Sequence, residues 1–366
     1  MRKTLWLSVL PVALIVAVAA ALAAGADQKA PPITQVNVQV LGPEPLGPLP
    51  PVIHPPGNPP SSAKIRLGKE LYFDPRLSAD GTVSCATCHN PAFGWSDKGP
   101  TSEGIKGQFG GRRAPPVVNA AYSPLQFWDG RSPSLEDQAK GPIQNPIEMG
   151  NTHEAMIQTV STISAYEREF RAVFGEGPIT VDQVAEAIAC FERTVVTTDS
   201  RFDRYVRGDH NALTKLEKEG LEIFNGKGHC TACHWGPYFS DGRFHNLGVP
   251  AKDPKNPDVG RYGITKDPRD MGAFKTPTVR DAARRPPYLH DGSEKSLLDV
   301  IELYDRGGVP NANLDPLVFP LKLTRQEKQD LVAFLEALTG TLPDIKPPAL
   351  PGDAGAGGEA VKGGAR

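Results

Sequence analysis

Apolar residues fall along the chain in regimes of different spacing. After Met1-Arg2-Lys3 comes an apolar run from Leu5 to Ala24, relieved only by Ser8 and Pro11 and carrying no charge. Small residues close it, with Ala21-Leu22-Ala23 and Ala24-Gly25-Ala26 both fitting a processing site. A basic start, an apolar middle and a small-residue end predict a secretory signal peptide over residues 1–26. No later stretch is long enough to span a bilayer as a helix. Residues 27–61 are Pro-rich and read as an extended or disordered lead-in. Helical spacing then takes over. A helix is predicted over Ala63–Tyr72, stopped near Asp74-Pro75. Thr152 caps another from about His153 to Phe174, and Thr180 caps one from Val181 to about Thr197. Thr214 opens a helix through Ile223 that ends at Asn225-Gly226. Thr324 with Glu327 forms a capping box ahead of Leu331, Phe334, Leu335 and Leu338, and Gly340 stops that helix. Alternating strands are lacking, so the fold class is mainly α with little sheet. Residues 343–366 read as a disordered tail.

The pattern also repeats. Ala114-Pro115-Pro116-Val117 matches Thr276-Pro277-Thr278-Val279, Trp128-Asp129-Gly130 matches His290-Asp291-Gly292, and Ser134-Leu135 matches Ser296-Leu297. The offset is 162 residues at each pair, without a gap. The chain therefore reads as a tandem duplication of one unit.

Composition sharpens this picture. The chain has 366 residues, enough for about two domains. Its 40 Lys+Arg and 42 Asp+Glu leave a net charge of −2, which with no basic run argues against a nucleic-acid surface. Gly and Pro, at 37 each, favour short helices joined by ordered loops. Only 39% of residues are hydrophobic, part of that in the N-terminal run, which leaves room for a large apolar prosthetic group.

Four of the five cysteines lie in Cys85-Ala86-Thr87-Cys88-His89 and Cys230-Thr231-Ala232-Cys233-His234. Cys190 stands among Val184, Ile188 and Phe191 and is expected to be a buried thiol. CxxCH attaches c-type haem: the two thiols add to the vinyl groups and the adjoining histidine becomes an axial ligand. A zinc site would need both cysteine pairs to converge and gives no reason for the histidines. A redox CxxC leaves the repeated histidine unexplained as well. Two covalent c haems are expected, with His89 and His234 as proximal ligands.

The repeat then exposes an asymmetry. The segment SLLDVIELYDRGG in the second unit is an amphipathic helix containing Tyr304, whose mate in the first unit is Pro142. Proline offers iron no ligand and tyrosine does, so one haem is closed by Tyr304 while the other is open. Met271 is a rival ligand, and an ordinary core aromatic is the bland reading of Tyr304. The first unit is polar around its open position. Glu148, in Asn145-Pro146-Ile147-Glu148-Met149, fits the proton-shuttling group that peroxide cleavage needs, with Gln138 as the hydrogen-bond partner that places the oxygens or a water. Trp128 is either a core aromatic or a bridge for electrons. His245, His290, Arg112 and Arg131 are expected to bond haem propionates or backbone.

With these motifs, together with QFWDGR, QNPIEMG, FHNLGVP and PYLHDG, the chain resembles the bacterial di-haem cytochrome c peroxidases and their relative MauG over about residues 62–342. The resemblance implies two tandem cytochrome-c-like domains: a peroxidatic haem domain over 62–210 and an electron-transfer haem domain over 211–342. It makes Glu148 and Gln138 catalytic, places Trp128 between the haems, and implies a periplasmic enzyme that reduces hydrogen peroxide. Electrons would come from a cytochrome c or a cupredoxin. MauG-like oxidation of a partner protein and a non-catalytic di-haem carrier are the alternatives. The chain departs from the family twice. The stretch TSEGIKGQFGGRR lacks the histidine that blocks many of these sites, so reductive activation is not expected. Tyr304 matches the tyrosine of MauG rather than a methionine. An inter-domain calcium ion is also implied, although the family's asparagine aligns near Arg113, leaving carbonyls around Arg285 and Pro287. A homodimer is a further expectation of the resemblance.

Overall fold

The computed structural model describes residues 44–249 and 257–352. The expected signal segment therefore lies outside the described residues. Eleven α-helices alternate with ordered loops: α1 Ser62–Phe73, α2 Cys85–Cys88, α3 Leu135–Gln144, α4 His153–Thr162, α5 Ser164–Phe174, α6 Val181–Glu192, α7 Arg201–Val206, α8 Lys215–Asn225, α9 Tyr262–Thr265, α10 Leu297–Asp305 and α11 Arg325–Ala337. Sheet among the described residues is one antiparallel pair of two-residue strands, β1 Phe244–His245 and β2 Phe274–Lys275. None of the described helices is long and apolar enough to cross a membrane.

Caps set the helix starts. Thr214 and Glu217 close a capping box on α8, and Thr324 and Glu327 do so on α11. Two helix pairs follow the repeat, with α1 packing on α6 and α8 on α11. Each pair closes at a glycine. A Cβ on Gly68 would lie 1.8 Å from the Ala187 carbonyl oxygen, and one on Gly220 would lie 2.0 Å from that of Asp330. No side chain fits at either crossing.

Among the described residues two large hydrophobic clusters result, beside a small one of Ala120, Leu135 and Ala189. Leu67, Leu71, Tyr72, Trp95, Tyr166 and Phe191 centre the first; Phe202, Phe224, Phe239, Leu331 and Phe334 centre the second. Phe202 joins the second cluster although it precedes the 210/211 boundary expected from sequence.

The repeat is visible in backbone detail. Phe127 and Leu289 both have positive φ, as do Gly130 and Gly292. Short 3-10 turns cover Ala120–Tyr122 and its mate Ala282–Arg284. Mates also meet across the boundary between the copies. The Arg113 N–H donates to the His290 carbonyl at 2.7 Å, and the Lys275 N–H donates to the Trp128 carbonyl at 2.8 Å. Asn119 donates through its side chain to its own mate, Asp281, at 3.3 Å. Such reciprocity is the mark of an isologous contact, here within one chain.

Four expectations need correction. The helix expected over 153–174 breaks at Ile163, which is extended (φ −91°, ψ 100°) within a Ser161–Ser164 run of poor helix formers. The helix expected to reach Thr197 ends at Glu192, ahead of the β-branched run Thr194–Thr198. The lead-in from residue 44 onward is extended but held in place. Arg280 reaches the Gly47 carbonyl at 2.5 Å, Tyr122 the Pro50 carbonyl at 2.7 Å, and Asn58 bonds Glu136 at 2.8 Å. The tail is likewise ordered as far as residue 352, with Ile345 packed on the first cluster and the Pro351 carbonyl accepting from Arg76.

Candidate functional site

The first CxxCH occupies α2, capped by Ser84, whose N–H donates to the Thr87 hydroxyl at 3.0 Å. His89 ends that turn. Its carbonyl accepts the Tyr72 hydroxyl at 2.8 Å, which ties the motif to α1 and to the aromatic group of Tyr72, Trp95 and Phe191. The second motif forms a tighter 3-10 turn over Cys230–Ala232. The His234 Nδ1 donates to the Phe239 carbonyl at 3.0 Å. That bond fixes the tautomer and leaves Nε2 as a lone-pair donor. Burial lowers the pKa of both histidines, so both stay neutral, as a metal ligand must.

All five cysteines are free of disulfides. Burial pushes Cys88 up to about 11 and Cys230 up to about 12. A redox CxxC needs a lowered thiol pKa, and neither of these thiols has one. Cys230, Cys233, His234 and Tyr304 line one mostly apolar cavity, which extends to Trp128 and His290. This donor set and its apolar walls fit a c haem at the second motif. Cys190 is fully buried on α6, as expected.

α10 carries Tyr304, and burial beside Cys233 and Cys230 raises its pKa well above the ordinary phenol value. Its mate Pro142 sits inside α3. Met271 is absent from the cavity wall, although the adjacent Gly272 contributes to it, and the Met271 carbonyl accepts from Asn246 at 2.7 Å. Tyr304 therefore shares a cavity with His234, and Met271 does not line it.

Glu148 lies in the turn after α3. Asn145 donates to its carboxylate at 2.7 Å, and the Glu148 carbonyl accepts the Ile105 N–H at 2.9 Å. Gly104 presses against this turn so closely that a Cβ there would sit 2.0 Å from the Ile147 carbonyl oxygen. Burial raises the Glu148 pKa, opposed by Arg131 and Asn145. The Glu148 charge in turn raises that of Cys88, which places the carboxyl beside the first motif. Gln138 is on α3, one turn before Pro142, and its carboxamide makes no hydrogen bond to Glu148.

Trp128 donates through Nε1 to the Arg113 carbonyl at 2.9 Å and stands edge-on to its mate His290, ring centres 6.4 Å apart. His290 in turn stacks on Phe274 at 3.6 Å.

Several expected propionate partners are engaged within the chain. Arg112 pairs with Asp129 and Asp258, each at 2.6 Å, and Arg131 with Asp129 at 3.0 Å. His245 donates to Asp315 at 2.6 Å and to Asp241 at 2.9 Å; burial works against its charge, but the Asp241 bond and its neighbours push it up to about 11. Sequence reading missed Lys275, which lines the cavity and whose pKa burial lowers to about 8. The signal was present, because Lys275 is the repeat mate of Arg113.

A profile described as di-haem cytochrome c peroxidase matches residues 62–211. The chain is 40% identical over 339 residues to the cytochrome-c peroxidase IdrP1 of Pseudomonas sp. (strain SCT), covering 84% of this chain and 89% of that one. It is 41% identical over 304 residues to the methylamine utilization protein MauG of Methylorubrum extorquens, covering 82% and 85%. Among solved structures, a MauG-like protein associated with microbial copper homeostasis superposes with a TM-score of 0.73 at 34% identity, over 80% of this chain and 93% of that one.

Proposed function

Because the chain belongs to the di-haem cytochrome c peroxidase family and is a haem peroxidase-type oxidoreductase, we propose that it works in the periplasm and reduces hydrogen peroxide to water at its first CxxCH unit. Cys85, Cys88 and His89 would hold the first haem, and Cys230, Cys233, His234 and Tyr304 would hold the second. A bound haem supplies a redox-active iron and a store for oxidising equivalents. The protein supplies the rest. Pro142 offers no ligand atom where the second copy has Tyr304, so peroxide would enter on that side of the first motif. Glu148, whose pKa burial raises, takes a proton from the near oxygen and returns it to the departing one. Gln138 orients the substrate or a water. Two electrons and two protons complete the conversion of one peroxide to two waters. Those electrons come from a small redox protein and pass by way of Trp128.

The observation that carries this reading is the asymmetry between repeat mates, with Tyr304 in the cavity of the second motif and Pro142 at the same place in the first. Glu148→Gln should lower peroxide turnover with reduced cytochrome c by about 10²-fold or more while both haems stay attached. A residual rate within a few-fold of the parent would remove Glu148 from the chemistry. Two low-spin irons in the resting oxidised protein would remove the open site itself.

Tyr304 also supports a second reading. A phenolate ligand lowers the potential of the second haem, which suits a MauG-like oxidase acting on residues of a partner protein. Little turnover with reduced cytochrome c, alongside rapid reaction with peroxide, would select it.

A further inference from the structure

Arg113 is 4% exposed and sits where the two copies of the repeat meet. Among the described residues its guanidinium forms no ion pair with a carboxylate and is held by backbone carbonyls. One terminal nitrogen donates to the Gly99 carbonyl. The other donates to the carbonyls of Asp97 at 2.5 Å, Pro286 at 3.2 Å and Arg285 at 3.4 Å. Two of these oxygens come from the first copy and two from the second. A buried cluster of converging carbonyl oxygens is the donor set of a hard cation such as calcium, and it is costly to bury without one.

The calcium expected between the copies does not fit this arrangement, because the carbonyls of Arg285 and its neighbour already accept from Arg113. We propose that the Arg113 guanidinium is a built-in replacement for that ion, so that the chain joins its two copies without calcium. The repeat gives independent support. Lys275, the mate of Arg113, crosses the same boundary in the opposite sense and donates to the Ser123 hydroxyl at 3.1 Å. Ser123 is in turn the mate of Arg285, so each copy sends one cationic side chain into the equivalent segment of the other.

The clamp also bears on the site between the motifs. The Arg113 main chain accepts from Trp128 Nε1 and donates to the His290 carbonyl, so the cage holds the backbone that orients both rings. A divalent ion and the guanidinium cannot share one set of oxygens, since their charges repel at that distance. Fixed covalently, the guanidinium cannot be removed by a chelator.

The test uses the intact di-haem protein. Metal analysis after purification without chelator should find calcium well below one per chain, and EGTA should leave the thermal midpoint and the resting haem spectrum unchanged. Arg113→Asn removes the cation and opens the cage. Its midpoint should fall by several degrees in EGTA and recover on adding millimolar calcium chloride, whereas Arg113→Lys should show no such dependence. Stoichiometric calcium in the parent protein, with a midpoint that EGTA lowers, would overturn the replacement. So would an Arg113→Asn protein indifferent to calcium. Failure of Arg113→Asn to accumulate even with calcium in the medium, beside a stable Arg113→Lys, would show that the oxygens do not accept the ion.

Discussion

Tyr304 illustrates what a single side chain decides. Burial keeps its phenol protonated in the protein alone, so only a metal held against it would draw off the proton. Tyr304→Phe should therefore change the resting electron paramagnetic resonance of the second haem from six-coordinate low-spin to high-spin. An unchanged low-spin signal would transfer the ligand role to Met271. The position was legible in the sequence because the repeat set Tyr304 beside Pro142. The partners of His245 were not. Asp241 and Asp315 are 74 residues apart in the chain, and nothing in spacing or periodicity announces that both carboxylates close on one imidazole.

At the level of helices, close crossings and polar ties set the geometry. The Gly68 and Gly220 contacts have no slack, so Gly68→Ala should cost about 3 kcal/mol through overpacking of α1 on α6. Thermal unfolding should read that loss, and a midpoint equal to that of the parent would show that the pair slides apart freely. α3 is tied to α6 by Glu136, which pairs with Arg193 at 2.6 Å and also accepts from Asn58. Burial alone would raise the Glu136 pKa, but these two partners lower it to about 2. A carboxylate with a lowered folded pKa contributes stability above its unfolded value near 4.5, and that contribution disappears as pH falls through about 2. Glu136→Gln should accordingly be about 2–3 kcal/mol less stable than the parent at pH 7, with the gap shrinking below pH 4.5 and closing only near pH 1. A difference that does not vary with pH would mean that packing, not charge, is lost. Capped helices such as α8 and α11 were readable because Thr214 and Thr324 announce their starts. α3 was missed because Pro142 inside it reads as a breaker; it stands in the last turn, and the helix ends two residues later at Gln144.

Across the whole molecule, the lead-in binds both copies. Glu44 accepts from Gly236, Gly47 from Arg280 and Pro50 from Tyr122. Removing residues 44–50 should lower the midpoint by about 2–4 °C for each kcal/mol lost and speed proteolysis near Tyr122. No change in either would make the segment a passive spacer, as its proline content first suggested. That content reports an extended backbone and says nothing about partners, which are fixed by distant residues such as Arg280. The duplication was legible in the constant offset; the way mates face one another was not, since it depends on contacts between copies that no single copy encodes.

Trp128 and His290 face each other as counterparts, and Arg113 and Lys275 exchange bonds across the same line. A unit meeting an identical unit in this manner would give a travelling charge no downhill side, because either sense of travel would be equivalent. Polarity in such an assembly can come only from places where the counterparts have diverged. Joining both units in one polypeptide allows that divergence to be inherited; on the proposed function, the substitutions separating Pro142 from Tyr304 and Trp128 from His290 would be what makes the traffic one-way.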